Sequence, residues 1–235
     1  MPCPTAGEGF TQRETERRKM RRAILLLTMI TAVLLVASGV ALAAAGSLDL
    51  SFGGGDGKVL TDYGTKNAIN VTTEDLIVQP DRKLVVAGSK SFGGKYQFSR
   101  FALTRYDSDG TLDKSFGGGD GKVETIVLPD ENSDASALVA QPDGKLVAAG
   151  RTFGTSSNNL DFALVRYNRN GSIDTSFGGG DGWVSTDLKN GDRAEALALQ
   201  PDGKLVAAGS AYKTAFDNQG PYGADIVAIA RYNAK

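Results

Sequence analysis

Histidine is absent from the 235 residues, and cysteine occurs once, at Cys3. Without histidine the chain cannot form Ser-His or Cys-His nucleophile arrangements, the usual zinc sites or the commonest general base. A single cysteine near the N-terminus gives the body of the chain no disulfide and no thiolate chemistry. These absences exclude several large classes of enzyme, and they leave packing to stabilise the fold.

A large excess of one charge is also missing. The chain has 26 Lys and Arg against 27 Asp and Glu. It therefore lacks the overall basic field that draws proteins to nucleic acid, and we expect no nucleic-acid partner.

The one long apolar run, from Ala23 to Val36, lies near the N-terminus. A basic stretch precedes it, and small residues with A-x-A patterns follow at 41–43 and 43–45, which is the layout of a secretory signal peptide. We therefore assign residues 1–45 to an N-terminal extension and a signal-peptide helix, and we expect a secreted or cell-surface protein. Met20 opens a more ordinary signal peptide than Met1 does. An uncleaved membrane anchor over 23–45 is the alternative.

Beyond this segment, three strings recur in a fixed order. SFGGGDG begins at Ser51, Ser115 and Ser176, QPD-x-KLV-x-AG begins at Gln79, Gln141 and Gln200, and an apolar stretch ending in Arg-Tyr closes at Tyr106, Tyr167 and Tyr232. They divide residues 46–235 into units of about 46–110, 111–171 and 172–235.

Each unit contains four strand candidates. Strand A follows GGGDG, strands B and C flank the QPD string, and strand D ends in Arg-Tyr. Pro-Asp-Gly-Lys between two apolar runs predicts a B–C hairpin, in which Arg82 replaces the glycine of the first unit and should strain or reshape the turn. Strand C suits burial on both faces, whereas strand D looks more peripheral.

These features predict an all-β protein, a β-propeller-like array of three four-stranded antiparallel blades. A β-solenoid or stacked sandwich is the runner-up. The strings SLDLSFGGGDGKV, QPDGKLVAAG and DFALVRYNRNGSIDTSFGG resemble the delta-60 repeat family over residues 46–235. The resemblance implies a propeller-like fold in exported proteins and no established biochemical activity.

The glycine-rich string superficially resembles a phosphate-binding loop. That pattern needs Gly where Phe52 stands and Ser or Thr where Val59 stands, and a strand follows instead of a helix. We interpret the glycines as a sharp turn into strand A, with Phe52, Phe116 and Phe177 packed between blades.

Asp107, Asp109 and Asp113 alternate around a glycine between strands D and A, as in the start of a calcium loop. The distal bidentate Glu is missing and the next unit has Asn at two of these positions, so a plain Asx turn competes with weak calcium binding. No other cofactor is predicted.

Catalysis has little support in the sequence. Asp56, Asp120 and Asp181 recur in every unit, as a structural residue would. The unrepeated acids Glu74, Glu124, Glu131 and Glu195 contain no evident pair. We expect no enzymatic activity, and a carboxylate-dependent hydrolase on a propeller scaffold is the alternative.

Strand polarity places the A–B and C–D connections on one face, where the loops differ in length and content. Variation confined to one face is typical of a binding face. Its candidate aromatic residues are Phe92, Tyr96, Phe98, Phe153, Tyr212, Phe216 and Tyr222. Mixed with polar side chains, they favour a glycan or protein ligand, although such rings also pack within their own loops. A purely structural surface module is the third reading.

Propellers usually have four to eight blades, and three units leave an apolar blade face at each end. We therefore expect a homodimer that closes a six-bladed ring. A fragment of a longer array is the rival explanation.

Overall fold

The computed structural model describes residues 45–64, 68–93, 98–128, 132–153, 160–217 and 220–233. The chain divides into two units, Met1–Ser47 and Leu48–Lys235. The predicted signal peptide lies almost wholly outside the described residues. Within the described ranges, no helix has the length and apolar character needed to cross a bilayer.

The second unit consists of antiparallel β-sheets. Sheet 1 contains β1 (Ala68–Val78), β2 (Leu84–Phe92), β3 (Phe98–Tyr106) and β4 (Lys122–Thr125). Sheet 2 contains β5 (Ser133–Ala140), β6 (Leu146–Phe153), β7 (Leu160–Tyr167) and β8 (Trp183–Thr186). Sheet 3 contains β9 (Asn190–Leu199), β10 (Leu205–Asp217) and β11 (Gly220–Tyr232). This confirms the all-β, propeller-like architecture.

The sheets are offset from the sequence units. Strand A of the second unit, β4, pairs with β3, and strand A of the third unit, β8, pairs with β7. Each strand A returns beside the strand D before it, because consecutive strands usually become neighbours. Strand D is therefore internal in sheets 1 and 2, contrary to the peripheral position expected. Sheet 3 has three described strands, and residues 58–61 belong to no described sheet.

The B–C turns have the same hydrogen bonds in all three sheets. In the first, Gln79 N donates to the Lys83 carbonyl and Arg82 N donates to the Gln79 carbonyl, both at 2.8 Å. Arg82 has φ of +67° and takes the left-handed conformation that Gly144 and Gly203 take in the other turns. The predicted strain is thus confirmed, but the turn keeps its shape.

The apolar core lies in two layers between neighbouring sheets. Phe101 and Leu103 of sheet 1 pack with Leu138 and Leu146 of sheet 2. Phe162 and Leu164 of sheet 2 pack with Leu205 of sheet 3 in the same way. Phe116 and Phe177, which are 0% and 5% exposed, complete the two layers as predicted, whereas Phe52 is only partly buried.

The glycine-rich loops require glycine at one position for steric reasons. Gly178 has φ of +68°, and a Cβ there would lie 1.8 Å from the carbonyl oxygen of Trp183. Gly117 has the same relation to Lys122, at 1.8 Å. No other residue fits this conformation and this close approach together.

Candidate functional site: the variable-loop face

The antiparallel strands put their connections on two opposite faces. The B–C turns and the glycine-rich loops share one face, which is nearly identical from unit to unit. The other, the variable-loop face, contains the connections after β2, β4, β6, β8 and β10. This confirms the division of the loops that the strand order predicts.

Two of the candidate aromatic residues form a stack beside the first long loop. The ring centroids of Phe92 and Phe98 are 5.0 Å apart, with 19° between the ring planes. The Arg100 guanidinium lies 4.7 Å from the Phe92 centroid and 5.1 Å from the Phe98 centroid. Since a cation covers these half-buried rings, they contribute to packing of their own loop.

Lys90 anchors this aromatic cluster. Its side chain is 8% exposed, and its Nζ lies 2.6 Å from Glu124 Oε1 and 4.9 Å from the Phe92 centroid. Nζ also donates to the Tyr63 carbonyl at 3.2 Å. Burial raises the pKa of the Tyr63 hydroxyl to about 12. Glu124, one of the unrepeated acids, is thus paired with a cation.

The remaining aromatic candidates differ in their surroundings. Phe153 is half-buried under Arg151, whose guanidinium carbon is 4.3 Å from the ring centroid. Tyr212 is 42% exposed. Tyr96 and the side chains of Phe216 and Tyr222 lie outside the described residues.

The aspartates proposed as calcium ligands lie on the opposite face and have protein partners. Asp109 accepts hydrogen bonds from Thr111, and Asp107 pairs with Lys83. Asp113 Oδ2 lies 2.6 Å from Arg105 Nε and 3.0 Å from Lys83 Nζ. These contacts give the three carboxylates structural roles, and calcium binding at them stays a prediction.

The Arg-Lys-Asp arrangement recurs at the next junction. Asp174 Oδ2 lies 2.7 Å from both Arg166 Nε and Lys145 Nζ. Burial alone would raise the pKa of Asp174, but hydrogen bonds from Lys145 and Ser176 and the charge of Arg166 outweigh it and hold the pKa well below its ordinary value. Asp113 behaves in the same way. Both sites are part of the scaffold.

A different cluster of acids lies on the variable-loop face, between sheets 2 and 3. Asp161 is the second residue of β7, Asp187 follows β8 and Asp192 lies in β9. One carboxylate oxygen of each lies within 4.8 Å of the other two. Oxygens that share one calcium ion at about 2.4 Å lie at most about twice that distance apart. The spacing therefore fits three ligands of one cation.

The cluster contains carboxylate oxygens without a protein partner. Asp192 is 0% exposed, and its Oδ2 accepts backbone N–H groups of Leu188 and Lys189. Its Oδ1 is buried with no hydrogen-bond partner among the described residues, and so is Oδ1 of Asp161. Burial, together with the charges of Asp187 and Asp161, raises the pKa of Asp192. A bound cation would satisfy both oxygens and offset the repulsion.

None of these three residues was predicted from the sequence to bind a metal. At the junction of sheets 1 and 2, the equivalent positions hold Arg100, Ile126 and Ser133, so the cluster is not repeated. That departure from the repeat was a usable signal. Of the acids singled out instead, Glu74 and Glu195 are exposed and Glu124 is paired with Lys90. Glu131 lies outside the described residues.

Three stretches of the chain, residues 79–116, 141–177 and 200–222, match a family described as a domain of unknown function (DUF5122) beta-propeller. The stretches recur in the order of the sheets, in agreement with the observed architecture. No curated protein matches the chain. The fold and the family match together identify a β-propeller repeat.

Proposed function

We propose that this β-propeller repeat protein is an exported, non-enzymatic module that binds a glycan through its variable-loop face, with a calcium ion held by Asp161, Asp187 and Asp192. The observation that carries the proposal is a pair of buried oxygens in this cluster, on Asp161 and Asp192, that have no hydrogen-bond partner among the described residues. Carboxylates are the ligands that calcium prefers, and burying them unpaired is costly.

The division of roles among the three acids supports ligand binding. Asp192 is buried and would bind the cation from the protein interior, whereas Asp187 is exposed and would bind it from the solvent side. A calcium ion takes six to eight oxygen ligands, so coordination positions remain on the exposed side. Sugar hydroxyls can fill such positions.

An exposed aromatic side chain, Tyr212, lies on the variable-loop face that contains the cluster. Tyr212 pairs in register with Asn190, and a Cβ at Gly191 would lie 3.3 Å from the Tyr212 Cβ. The Tyr212 ring extends to the other side of β10, over β11, where a Cβ at Gly223 would lie 1.8 Å from the Tyr212 hydroxyl oxygen. The residue is 42% exposed. An exposed aromatic ring on the face that carries the acid cluster suits a sugar, whose apolar face can pack on such a ring.

The first test is calcium titration calorimetry on the full-length chain, followed by a glycan array in calcium and in excess chelator. We expect calcium affinity in the range of extracellular modules, a dissociation constant on the order of 10⁻⁴ M. Asp187→Asn should weaken calcium binding about tenfold or more, and it should abolish the glycan signal.

Glu195→Gln is the matched control, because Glu195 is an exposed acid on the same strand as Asp192. It should leave calcium and glycan binding unchanged. Tyr212→Ala should keep calcium affinity and lose glycan affinity, which separates the two ligands. Absence of calcium binding at millimolar concentration would contradict the proposal, as would glycan binding that survives the chelator.

A carboxylate-dependent hydrolase is the second candidate, since closely spaced carboxylates with a raised pKa on one of them are used in glycoside hydrolysis. Asp192, however, is completely buried and cannot touch a substrate. Release of reducing sugar from a glycan that binds on the array, lost in Asp161→Asn, would favour hydrolysis. Neither binding nor turnover would leave a purely structural surface module.

Export is the remaining part of the proposal. It is supported by the signal-peptide layout of residues 17–45 and by the resemblance of the repeats to the delta-60 family. N-terminal sequencing of the protein recovered from outside the cell should give a start close to Gly46. An intact N-terminus in the membrane fraction would instead indicate an anchor.

A further inference from the structure

In the part of the chain that the structure describes, sheet 3 has no outer strand like those that complete sheets 1 and 2. In those sheets the fourth strand pairs with strand D in the same register, with Ala102 opposite Glu124 and Ala163 opposite Ser185. In sheet 3, β11 is strand D, and within the described ranges its only strand neighbour is β10. No described strand therefore pairs with the backbone groups of its outer edge.

The missing strand has a counterpart elsewhere in the chain. Residues 58–61, with the sequence KVLT, occupy the repeat position of β4, with the sequence KVET. They contact sheet 1 in the same way as β4 contacts sheet 2, through a hydrogen bond between a threonine and a tyrosine hydroxyl. The hydroxyl distances are 2.6 Å for Thr61–Tyr106, 2.9 Å for Thr125–Tyr167 and 3.0 Å for Thr186–Tyr232. The segment thus occupies the position of an outer strand, but it pairs with none of the described sheets.

The repeated ion pair is also split between these two ends. Arg231 and Lys204 of sheet 3 correspond to Arg166 and Lys145, but Arg231 is exposed and has no ion-pair partner among the described residues. Asp49 corresponds to Asp174 and is exposed. Among the described residues, its carboxylate accepts hydrogen bonds only from the nearby Ser51. Lys204 forms an ion pair with Asp202 of its own turn. Arg231 at one end and Asp49 at the other form no ion pair within the described ranges, and their charges are opposite.

Exposed apolar side chains are also found at these two ends, on sheet 3 and on sheet 1. Val227 and Ile229 of β11 are 83% and 64% exposed, whereas the residues at their repeat positions in sheets 1 and 2 are completely buried. On sheet 1, Leu76 is 53% exposed, whereas its counterpart Leu138 is 3% exposed. The residues exposed on sheets 3 and 1 are therefore at the repeat positions that are buried where neighbouring sheets pack on each other within the chain.

We infer that a second copy of the chain supplies its residues 58–61 as the fourth strand of sheet 3, with Leu60 opposite Ala228 and Thr61 opposite Val227. In this arrangement Asp49 of the second copy pairs with Arg231 and Lys204. The segment is held at sheet 1 of its own chain, and sheet 2 separates it from sheet 3. Strand addition therefore occurs between copies.

Two copies that exchange strands in both directions form a closed ring of six sheets. Six lies within the range of about four to eight blades that propellers adopt. The contact is head to tail within the ring and is made twice under a two-fold axis. It covers exposed apolar residues at both ends and gives sheet 3 the fourth strand that sheets 1 and 2 have.

A cysteine cross-link tests the register. Full-length chain carrying Cys3→Ser, Leu60→Cys and Ala228→Cys should form a covalent dimer under mild oxidation, because opposite residues of antiparallel strands have Cα separations of about 4.5–5.5 Å, within disulfide range. The control pair, Leu60→Cys with Val227→Cys, has side chains on opposite faces of the sheet and should not cross-link. Val227 is 83% exposed and Ala228 is 8% exposed, so random collision would favour the control. Equal cross-linking of both pairs would overturn the inference.

Light scattering after size exclusion tests the assembly itself. The unmodified full-length chain should have twice the mass of one copy. Asp49→Arg and Arg231→Asp should each shift the protein to the single mass, and the two together should restore the doubled mass, because the charges then pair in reversed order. A single mass for the unmodified chain at tens of micromolar would overturn the inference, and larger open assemblies would overturn the closed ring.

Discussion

Replacement of Asp174 by Asn should strongly destabilise the fold, because Asp174 neutralises a buried guanidinium. Asp174 is 6% exposed and Arg166 is 4% exposed. Its Oδ2 meets Arg166 and Lys145 at 2.7 Å each, and its Oδ1 accepts hydrogen bonds from the Ser176 backbone and hydroxyl at 3.2 and 2.8 Å. Asn retains one acceptor for Ser176 but brings an amide group, without charge, towards two cations.

The magnitude follows from the burial of the pair. Removal of one partner from a buried ion pair costs about 3–5 kcal/mol, since the other charge is left uncompensated. The Lys145 side chain is 29% exposed and can turn to solvent, which limits the loss mainly to Arg166. We therefore expect the free energy of unfolding to fall by about 3 kcal/mol.

Urea unfolding followed by the fluorescence of Trp183, the single tryptophan, measures this change. Asp109→Asn is the matched control, because Asp109 is an exposed turn aspartate whose carboxylate accepts hydrogen bonds from Thr111 alone among the described residues. The next unit has Asn170 at this position. The control should lie within about 0.5 kcal/mol of the parent chain. Equal effects of the two substitutions would refute the structural role of the buried pair.

The pH dependence gives an independent check. The pKa of Asp174 is lowered in the folded chain, so its contribution to stability is complete above the unfolded value of about 3.9 and is lost as the pH falls through the folded value. The difference between the parent chain and Asp174→Asn should be constant from about pH 5 to 8 and should shrink below about pH 4. A difference that stays unchanged under acid would contradict the assignment.

Three further predictions concern the loops and the acid cluster. Gly178→Ala should lower the free energy of unfolding by about 3 kcal/mol in urea titrations, since positive φ and a backbone clash combine, whereas Gly179→Ala, with open space around its Cβ, should lower it by about 1 kcal/mol. Arg82→Gly should stabilise the chain by about 0.5 kcal/mol, because relief of the left-handed strain exceeds the added chain entropy, and Gly203→Arg should do the reverse. Asp192→Asn should raise the melting temperature in chelator, because it removes a buried negative charge that lies within 4.8 Å of two other carboxylates and whose Oδ1 has no partner among the described residues. It should also remove any increase caused by calcium. A calcium-induced increase that persists in Asp192→Asn would argue against this cation site.

Local features of the fold could be predicted from the sequence because each depends on a few neighbouring residues. The Pro-Asp-Gly turns, the positive φ of Arg82 and the sharp glycine loops follow from backbone geometry. The burial of Phe116 and Phe177 follows from their place after strand D in every unit. The division into a repeated face and a variable face follows from antiparallel order alone.

The candidate site could be predicted only in part. The variable-loop face was identified from loop composition, but the environment of its aromatic residues was not, because Arg100 and Arg151 cover Phe92 and Phe153 through cross-strand and stacking contacts. The acid cluster needed the packing of sheet 2 on sheet 3. Asp161 and Asp187 come from two strands of one sheet and Asp192 from the next, and no local pattern joins them.

The repeat, the turns, the succession of strands along the chain and the face that varies could all be predicted from residue spacing and backbone preference. Which strand completes which sheet depends on tertiary packing, because strand A could pair with its own unit or with the preceding one using the same residues. The choice of the preceding unit leaves residues 58–61 without a sheet and β11 without an outer strand in the described chain. The same packing brings three unrepeated carboxylates within 4.8 Å of one another.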